Sequence, residues 1–462
     1  MTERKGRSRV GEFREKLAKN PGALFDGVLS EEEINEECLW LGHVWRERIF
    51  TPLVTLWTFL NQVLEIGSSC GEAVARVLSY LSVTTGLDAS HDPSAYSKAR
   101  KRLPEELAPR LTRMVAEKLA SKVDAKRLWH GHRVKLVDGS SVAMWDTPEN
   151  QAAYPQPKGQ SPGCGFPVAR IVGLFDLTTG ALTDLALGPL SEGETRLFRT
   201  LWPSLNAGEV VVGDRYYSSY ADIALLRSRG VDGVFRLHQN RKVDFREGES
   251  LGRDDRRVEW TKETCPKWMS REEFDALPET QTVRLVRFRC RVPGWRVKTI
   301  TLVTTLLDPK KYPARALGKL YNRRWEVETD LDCLKTTMKM EFLRTRTPDM
   351  IRRELWVHLL AYNLVRTLMW EAAKRRRVEP LRLSFKGAIH EMVAVWPFTP
   401  AAARHRDLRK FYDALLRNVG SHRIPDRPAR SEPRVRKRRP KNYRLMTKPR
   451  HPSNAPPSKE VP

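Results

Sequence analysis

The spacing of apolar residues changes period along the chain. Up to about residue 130 apolar positions recur every three or four residues, the signature of amphipathic helices. A helix is expected over Glu31–Trp45, opened by Ser30 as N-cap with Glu33 three positions on. Others are expected over Leu53–Leu64, Ala73–Leu81, Ala95–Lys101 and Glu105–Leu119, with a polar break at 86–93. From residue 134 the period becomes two. VKLVD (134–138) reads as a short strand, and 168–177 with 181–188 as a hairpin turning on Thr178, Thr179 and Gly180. A helix over Thr195–Leu205, a buried strand over Glu209–Asp214, a helix over Tyr220–Arg229 and a strand over 231–237 follow. Three strands, then helix, strand, helix, strand predict a mixed α/β sheet flanked by helices.

Residues 239 to about 295 break this rhythm with polar, charged sequence and short β-like pieces such as 283–292. The α/β pattern resumes at 299–307. A long, strongly periodic helical region is then expected over about Pro313–Met340, with further helices over Ile351–Lys374 and Leu408–Leu416. The expected organisation is an N-terminal helical domain (1–130) taken to bind DNA, a catalytic core in two parts (131–238 and 298–375), and a β-rich insertion (239–297). A C-terminal helical region (376–420) and a basic, disordered tail (421–462) complete the chain.

Charge narrows the function. The chain has 462 residues, with 82 Lys plus Arg against 56 Asp plus Glu, a formal charge of +26 and a pI near 10.0. Such an excess calls for a polyanion, with nucleic acid ahead of an anionic membrane surface. The most apolar stretch, Ile49–Leu64, is interrupted by Pro52, Thr55, Thr58, Asn61 and Gln62. It falls short of the roughly 20 apolar residues a spanning helix needs. The charged N-terminus lacks the apolar region of a secretory signal. Six cysteines, none in a C-x-x-C pair, give neither a zinc site nor a disulfide framework. A soluble, reduced, cytoplasmic protein associated with the nucleoid is expected, with double-stranded DNA as partner and no membrane.

Phosphate loops, dinucleotide loops and a serine nucleophile elbow are all missing from the sequence. His130 and His132 lack companions at metal-site spacing and read as packing or surface residues. The carboxylates are more informative. Asp138 and Asp214 each close an apolar strand, where open α/β sheets place their sites, although turn and N-cap aspartates also occur there. The expected helix YNRRWEVETDLDCLKTTMKM carries Tyr321, Arg324, Glu328 and Lys335. At ideal helical spacing these point to roughly 0°, 300°, 340° and 320°, one stripe about 60° wide. Glu326 and Asp330 point away; Asp332, at about 20°, is not excluded by geometry alone. Three converging carboxylates can hold two Mg²⁺ ions about 3.5–4 Å apart, one activating water and the other stabilising a leaving oxygen. Arg324 and Lys335 would hold flanking phosphates. Tyr321 would hydrogen-bond a phosphate or stack on a base.

In these residues the sequence resembles the DDE transposases of the insertion-sequence-4 type, found in bacterial cut-and-paste elements. The signature Y-x2-R-x3-E-x6-K is matched by Tyr321, Arg324, Glu328 and Lys335. Asp138 in VDGSS and Asp214 in GDRYYSSYADIALL are similar to that family's catalytic aspartates. PGCGFPVARIVGLFDLTTGAL and FTPLVTLWTFLNQVL extend the likeness, which covers about residues 40–375. The resemblance implies a ribonuclease-H-like core interrupted by a β-rich insertion. It implies Mg²⁺-dependent hydrolysis at an element's terminal inverted repeats, with Mn²⁺ able to substitute, then strand transfer into target DNA by a homodimer. In relatives a flipped base is held by a tryptophan of the insertion; Trp295 is the candidate here, with Trp260 and Trp268 as rivals and a core position as the alternative for each. Two other functions fit the same residues: a catalytically silent DNA-binding derivative, and a ribonuclease-H-like nuclease without strand transfer.

Overall fold

The protein is described from a computed structural model covering residue 25 and residues 27–46, 48–65, 68–86, 88–241, 243–289, 299–395, 408–425 and 445–449. Trp295 and most of the basic tail lie outside the described residues.

The N-terminal helices form where the apolar spacing places them. Helix α1 (Glu31–Trp40) is opened by a capping box in which Ser30 Oγ accepts from Glu33 N–H and Glu33 accepts from Ser30 N–H. It stops five residues short of the expected Trp45, at a turn through Gly42 with φ +68°, a left-handed conformation that suits glycine. Helix α2 (Pro52–Leu64) starts from Thr51 with Pro52 in its first turn and is buried on nearly every side. Helices α3 (Cys70–Thr85), α4 (Ser94–Arg102) and α5 (Leu107–Ser121) complete the array.

The sheet begins with β1 (Val134–Met144), β2 (Val168–Asp176) and β3 (Leu182–Pro189), paired antiparallel. The short helix α6 (Pro148–Ala153) lies between β1 and β2. Helix α7 (Glu194–Thr200) leads to β4 (Val210–Gly213), and α8 (Tyr220–Ser228) to β5 (Asp232–Arg236); β4 runs parallel to both β1 and β5. The expected Thr195–Leu205 helix gives way after Thr200 to a 3₁₀ turn at Trp202–Ser204, where Pro203 cannot continue an α-helix.

Strands β6 (Glu249–Gly252), β7 (Asp255–Thr261) and β8 (Thr280–Arg289), with helix α9 (Arg271–Asp275), come from the segment that broke the sequence rhythm. They pair antiparallel onto β9 (Thr299–Thr304), itself antiparallel to β5. The whole is one sheet in the order β3-β2-β1-β4-β5-β9-β8-β7-β6. This mixed, helix-flanked sheet is the expected ribonuclease-H-like architecture. A two-residue strand, β10 (Phe342–Leu343), pairs parallel with the far end of β1.

The helical region expected over Pro313–Met340 is not one helix. Helix α10 (Ala314–Asn322) closes in i→i+3 hydrogen bonds at Arg323 and Arg324, and α11 (Trp325–Asp332) starts afresh. A π-helical turn over Cys333–Thr337 follows, closed by Met338 N–H to Cys333 O at 2.9 Å. Helix α12 (Pro348–Arg376) is buried along most of its length, and α13 (Phe385–Val395) and α14 (Leu408–Val419) pack around it.

Alternation along β1 divides the core. Val134 and Leu136 face α12 and share one continuous apolar cluster with Leu56, Leu111, Leu359 and Leu364, so the helical array and the sheet bury a common core. Val137 faces the other way, into the cluster of Phe198, Val211, Tyr217 and Phe235 that extends to Trp260 and Phe274. Asn363 ties the first layer together: its side chain bonds both backbone groups of Leu182 at 2.9 Å and the Thr112 carbonyl at 3.0 Å.

Candidate active site

Asp138 does not end its strand. Strand β1 runs on to Met144 because residues beyond Asp138 continue to pair with β2, Gly139 opposite Val172 and Ala143 opposite Val168. What stops is the pairing with β4, whose last partners are Leu136 and Val212. Two residues further along both parallel strands stand Asp138 and Asp214, level with each other where the strands part. This is a sheet-edge crevice of the kind in which α/β proteins place sites. Asp214 begins the turn Arg215–Tyr217 with extended backbone angles.

Helix α11 lies across this crevice. Arg324, at its N-terminus, bridges the two elements, its Nη2 donating to Glu328 Oε1 at 2.8 Å and its Nη1 to Asp138 Oδ2 at 3.5 Å. Lys335 leaves the π turn to donate to Ser140 Oγ at 3.0 Å, two residues along β1 from Asp138 and on the same face. Tyr321 ends α10, nearly buried, where burial above all pushes its phenol up to about 12, with the charge of Asp214 adding to the rise. All four signature residues therefore come to one side of the sheet, although through a broken helix rather than an ideal stripe. Glu328 faces β1 while Asp332 is exposed, which separates the two acids that helical geometry left open.

The site is electrostatically tense. Burial raises the Asp138 carboxyl to about 6; Glu328 and Glu194 push in the same direction, against the Gly139 N–H and Arg324. Glu194, in the first turn of α7, was not singled out by sequence. It reaches the rim because Gly139 has no side chain: a Cβ there would lie 2.5 Å from the Glu194 carboxyl carbon. Tyr217 was also overlooked. Its ring fits against Gly213, where a Cβ would meet it at 2.9 Å, and its buried hydroxyl has no hydrogen-bond partner. No spacing rule flags either residue, but the glycines flanking each aspartate, VDGSS and VGDRYY, mark positions of close approach.

Metal fit can be judged from this chemistry. Among the described residues no three acidic, histidine or cysteine side chains stand close enough to share one ion. The donor set nevertheless suits a hard divalent cation. The carboxylates of Asp214 and Glu194 have neither a hydrogen bond nor an ion pair among the described residues, and Asp138 is pushed toward its protonated form first by burial and then by its acidic neighbours.

The other candidates sort by geometry. His132 bonds Gly208 O at 2.8 Å and Tyr312 Oη at 2.6 Å, a packing role. Trp260 is buried under the Arg241 guanidinium, and Trp268, partly exposed, lies beneath that of Arg199. Cys38, Cys70, Cys164, Cys265 and Cys333 are free thiols. Among the described residues no helix is long and apolar enough to cross a membrane.

Comparison with known proteins places the chain in a family. The family model of the transposase DDE domain matches residues 129–364, a span holding all three candidate acids and the four signature residues. Transposase InsG for insertion sequence element IS4 of Escherichia coli K12 is 27% identical over 436 residues, covering 92% of this chain and 94% of the relative. The cryo-EM structure of the piggyBac transposase synaptic complex with hairpin DNA aligns over 88% of this chain and 87% of its own, at 12% identity and a TM-score of 0.43. That last likeness is too loose to add to the assignment. By its matched domain and its near full-length relative, the chain belongs to the DDE transposases of the insertion-sequence-4 type.

Proposed function

We propose that this transposase binds the terminal inverted repeats of an insertion sequence as a homodimer in the cytoplasm. There it cleaves the element's ends at a two-Mg²⁺ site formed by Asp138, Asp214 and Glu328, and joins the freed 3′-hydroxyls to target DNA. The observation that carries this reading is the level placement of Asp138 and Asp214 beneath a helix that presents Glu328 through Arg324. When bound, the two ions would supply an activated water and charge neutralisation at the leaving oxygen.

The chain's own residues do the rest. In the DNA-free protein Arg324 acts as counter-ion to Asp138 and Glu328. With those carboxylates holding a cation instead, the Arg324 guanidinium would be free to hold the phosphate next to the scissile bond bidentately. Lys335, held over β1 by Ser140, offers a second cation on the same side. Tyr321, wedged beside Arg324 and kept protonated by burial, remains a hydrogen-bond donor throughout the working pH range. The N-terminal helices supply part of the inverted-repeat contact through exposed Lys101 and Arg102, whereas Arg100 is committed to Phe59, Tyr96 and Gln62. Trp295, outside the described residues, is the candidate to hold a flipped base.

The test is cleavage of a labelled duplex carrying the flanking inverted repeats, wild type beside Glu328→Gln, in Mg²⁺. Cutting and a joined product with wild type alone are expected. Binding without cutting by either protein would favour the silent DNA-binding derivative, and cutting without joining the simple nuclease.

A further inference from the structure

The acids at the rim do not form one group. Asp138 and Glu328 are linked through Arg324 on the α11 side of the sheet. Glu194 approaches from the opposite side, from α7, over the bare backbone of Gly139. An alanine there would put its Cβ 2.9 Å from Glu194 Oε1, so the absence of a side chain is what lets the carboxylate in. Glu194 finds no cation to pair with among the described residues, in a chain whose formal charge is +26.

A second feature converges on the same point. Tyr217 is 1% exposed, and its hydroxyl has no partner although buried phenols ordinarily find one. The carboxylates that bear on that phenol are Glu194, Asp138 and Asp214. Glu328 is not among them. The unused donor therefore stands in the field of three carboxylates, of which Asp138 alone has a counter-ion, Arg324, among the described residues.

We propose that Glu194 is a fourth carboxylate of the catalytic centre, completing with Asp138 and Asp214 the subsite for one divalent cation, while Asp138 and Glu328 serve the other. This rests on the two-ion reading above. With the three carboxylates drawn together around a cation, the Tyr217 hydroxyl would be the donor that orients Glu194. Asp138 is then the shared ligand, which accounts for its position between acids on both faces of the sheet.

The experiment is Mn²⁺ titration of the full chain without DNA, with free Mn²⁺ read by electron paramagnetic resonance. Wild type is expected to bind two ions. Glu194→Gln should weaken one of them by at least about 10–100-fold, the range for losing a mere outer-shell partner of a metal ligand. Glu194→Asp should recover part of the loss, and Glu328→Gln should spare the Glu194-dependent ion. Thermal unfolding and inverted-repeat binding in EDTA should match wild type in Glu194→Gln. A Glu194→Gln curve superimposing on wild type, while Asp138→Asn loses binding, overturns the proposal and leaves the two-ion reading standing. Unchanged binding in Asp138→Asn would instead overturn the two-ion reading, and this inference with it.

Discussion

Replacing Arg366 by Met tests what holds the Glu328 helix in place. Two residues beyond Glu328, Asp330 turns away from the crevice into the protein, where it is 4% exposed and ion-paired with Arg366, itself 5% exposed. Arg366 Nε also donates to Tyr362 Oη at 2.9 Å, and Tyr362 Oη to Gly180 O at 2.7 Å, so one network joins α11, α12 and the β2–β3 turn. Methionine fills part of the guanidinium's volume but leaves Asp330 buried without its cation. Breaking a buried pair from one side costs about 3–5 kcal/mol. Against the roughly 5–15 kcal/mol that holds a typical protein folded, this is a large fraction. Urea unfolding followed by tryptophan fluorescence should show that loss, and cleavage of inverted-repeat DNA should fall with it because α11 loses its anchor. Replacing both partners, Asp330→Leu with Arg366→Met, removes the stranded charge and should restore most of the stability. A single Arg366→Met variant losing less than about 1 kcal/mol, the scale of an exposed pair, would refute the reasoning.

Three further predictions follow from the same geometry. Because Asp138 titrates near 6 and only its ionised form binds a cation, Mg²⁺ affinity should be flat above about pH 7 and fall by up to about tenfold per pH unit below 6, with proton uptake on metal removal; calorimetric affinities unchanged between pH 5 and 7 would count against it. His358, buried beside Arg344, is pushed down to about 3, chiefly by burial, so the folded state excludes a proton that the unfolded chain accepts near 6.5. Its contribution to stability is therefore present above pH 6.5 and lost toward pH 3, adding a slope of about 1.4 kcal/mol per pH unit, and His358→Gln should flatten acid unfolding measured by circular dichroism. Gly139→Ala should leave the β1–β2 pairing intact but displace Glu194, lowering cleavage well before melting temperature changes; wild-type cleavage would show that the 2.5 Å approach is relaxed without consequence.

Much of this protein is written in local pattern. Apolar spacing identified α2 almost to the residue; its start is fixed by the Thr51 cap and by Pro52 in the first turn. Period-two alternation found β2 and β3, and the charge excess pointed to a polyanionic partner before any site was considered. The residue types and spacing of Tyr321, Arg324, Glu328 and Lys335 were legible because they lie close together in the chain.

Contacts between distant segments were not legible, and they decide the site. Ideal helical geometry carried the stripe through Arg323 and Arg324, where the backbone instead tightens, and past Cys333, where it widens into a π turn. The mostly apolar run 134–137 announced a strand but not its continuation, since residues 138–141 are polar or small and are kept in β form by pairing with β2. The level placement of Asp138 and Asp214 is a matter of register between parallel strands 76 positions apart, which no sequence period encodes. Glu194 and Tyr217 carry no motif of their own; they enter the site through space left by Gly139 and Gly213. Local sequence thus determined the elements and most of the reactive groups, because backbone hydrogen bonding and side-chain periodicity act over a few residues. Only the tertiary structure decided which carboxylates meet, because that depends on strand register and on close packing between segments far apart in the chain.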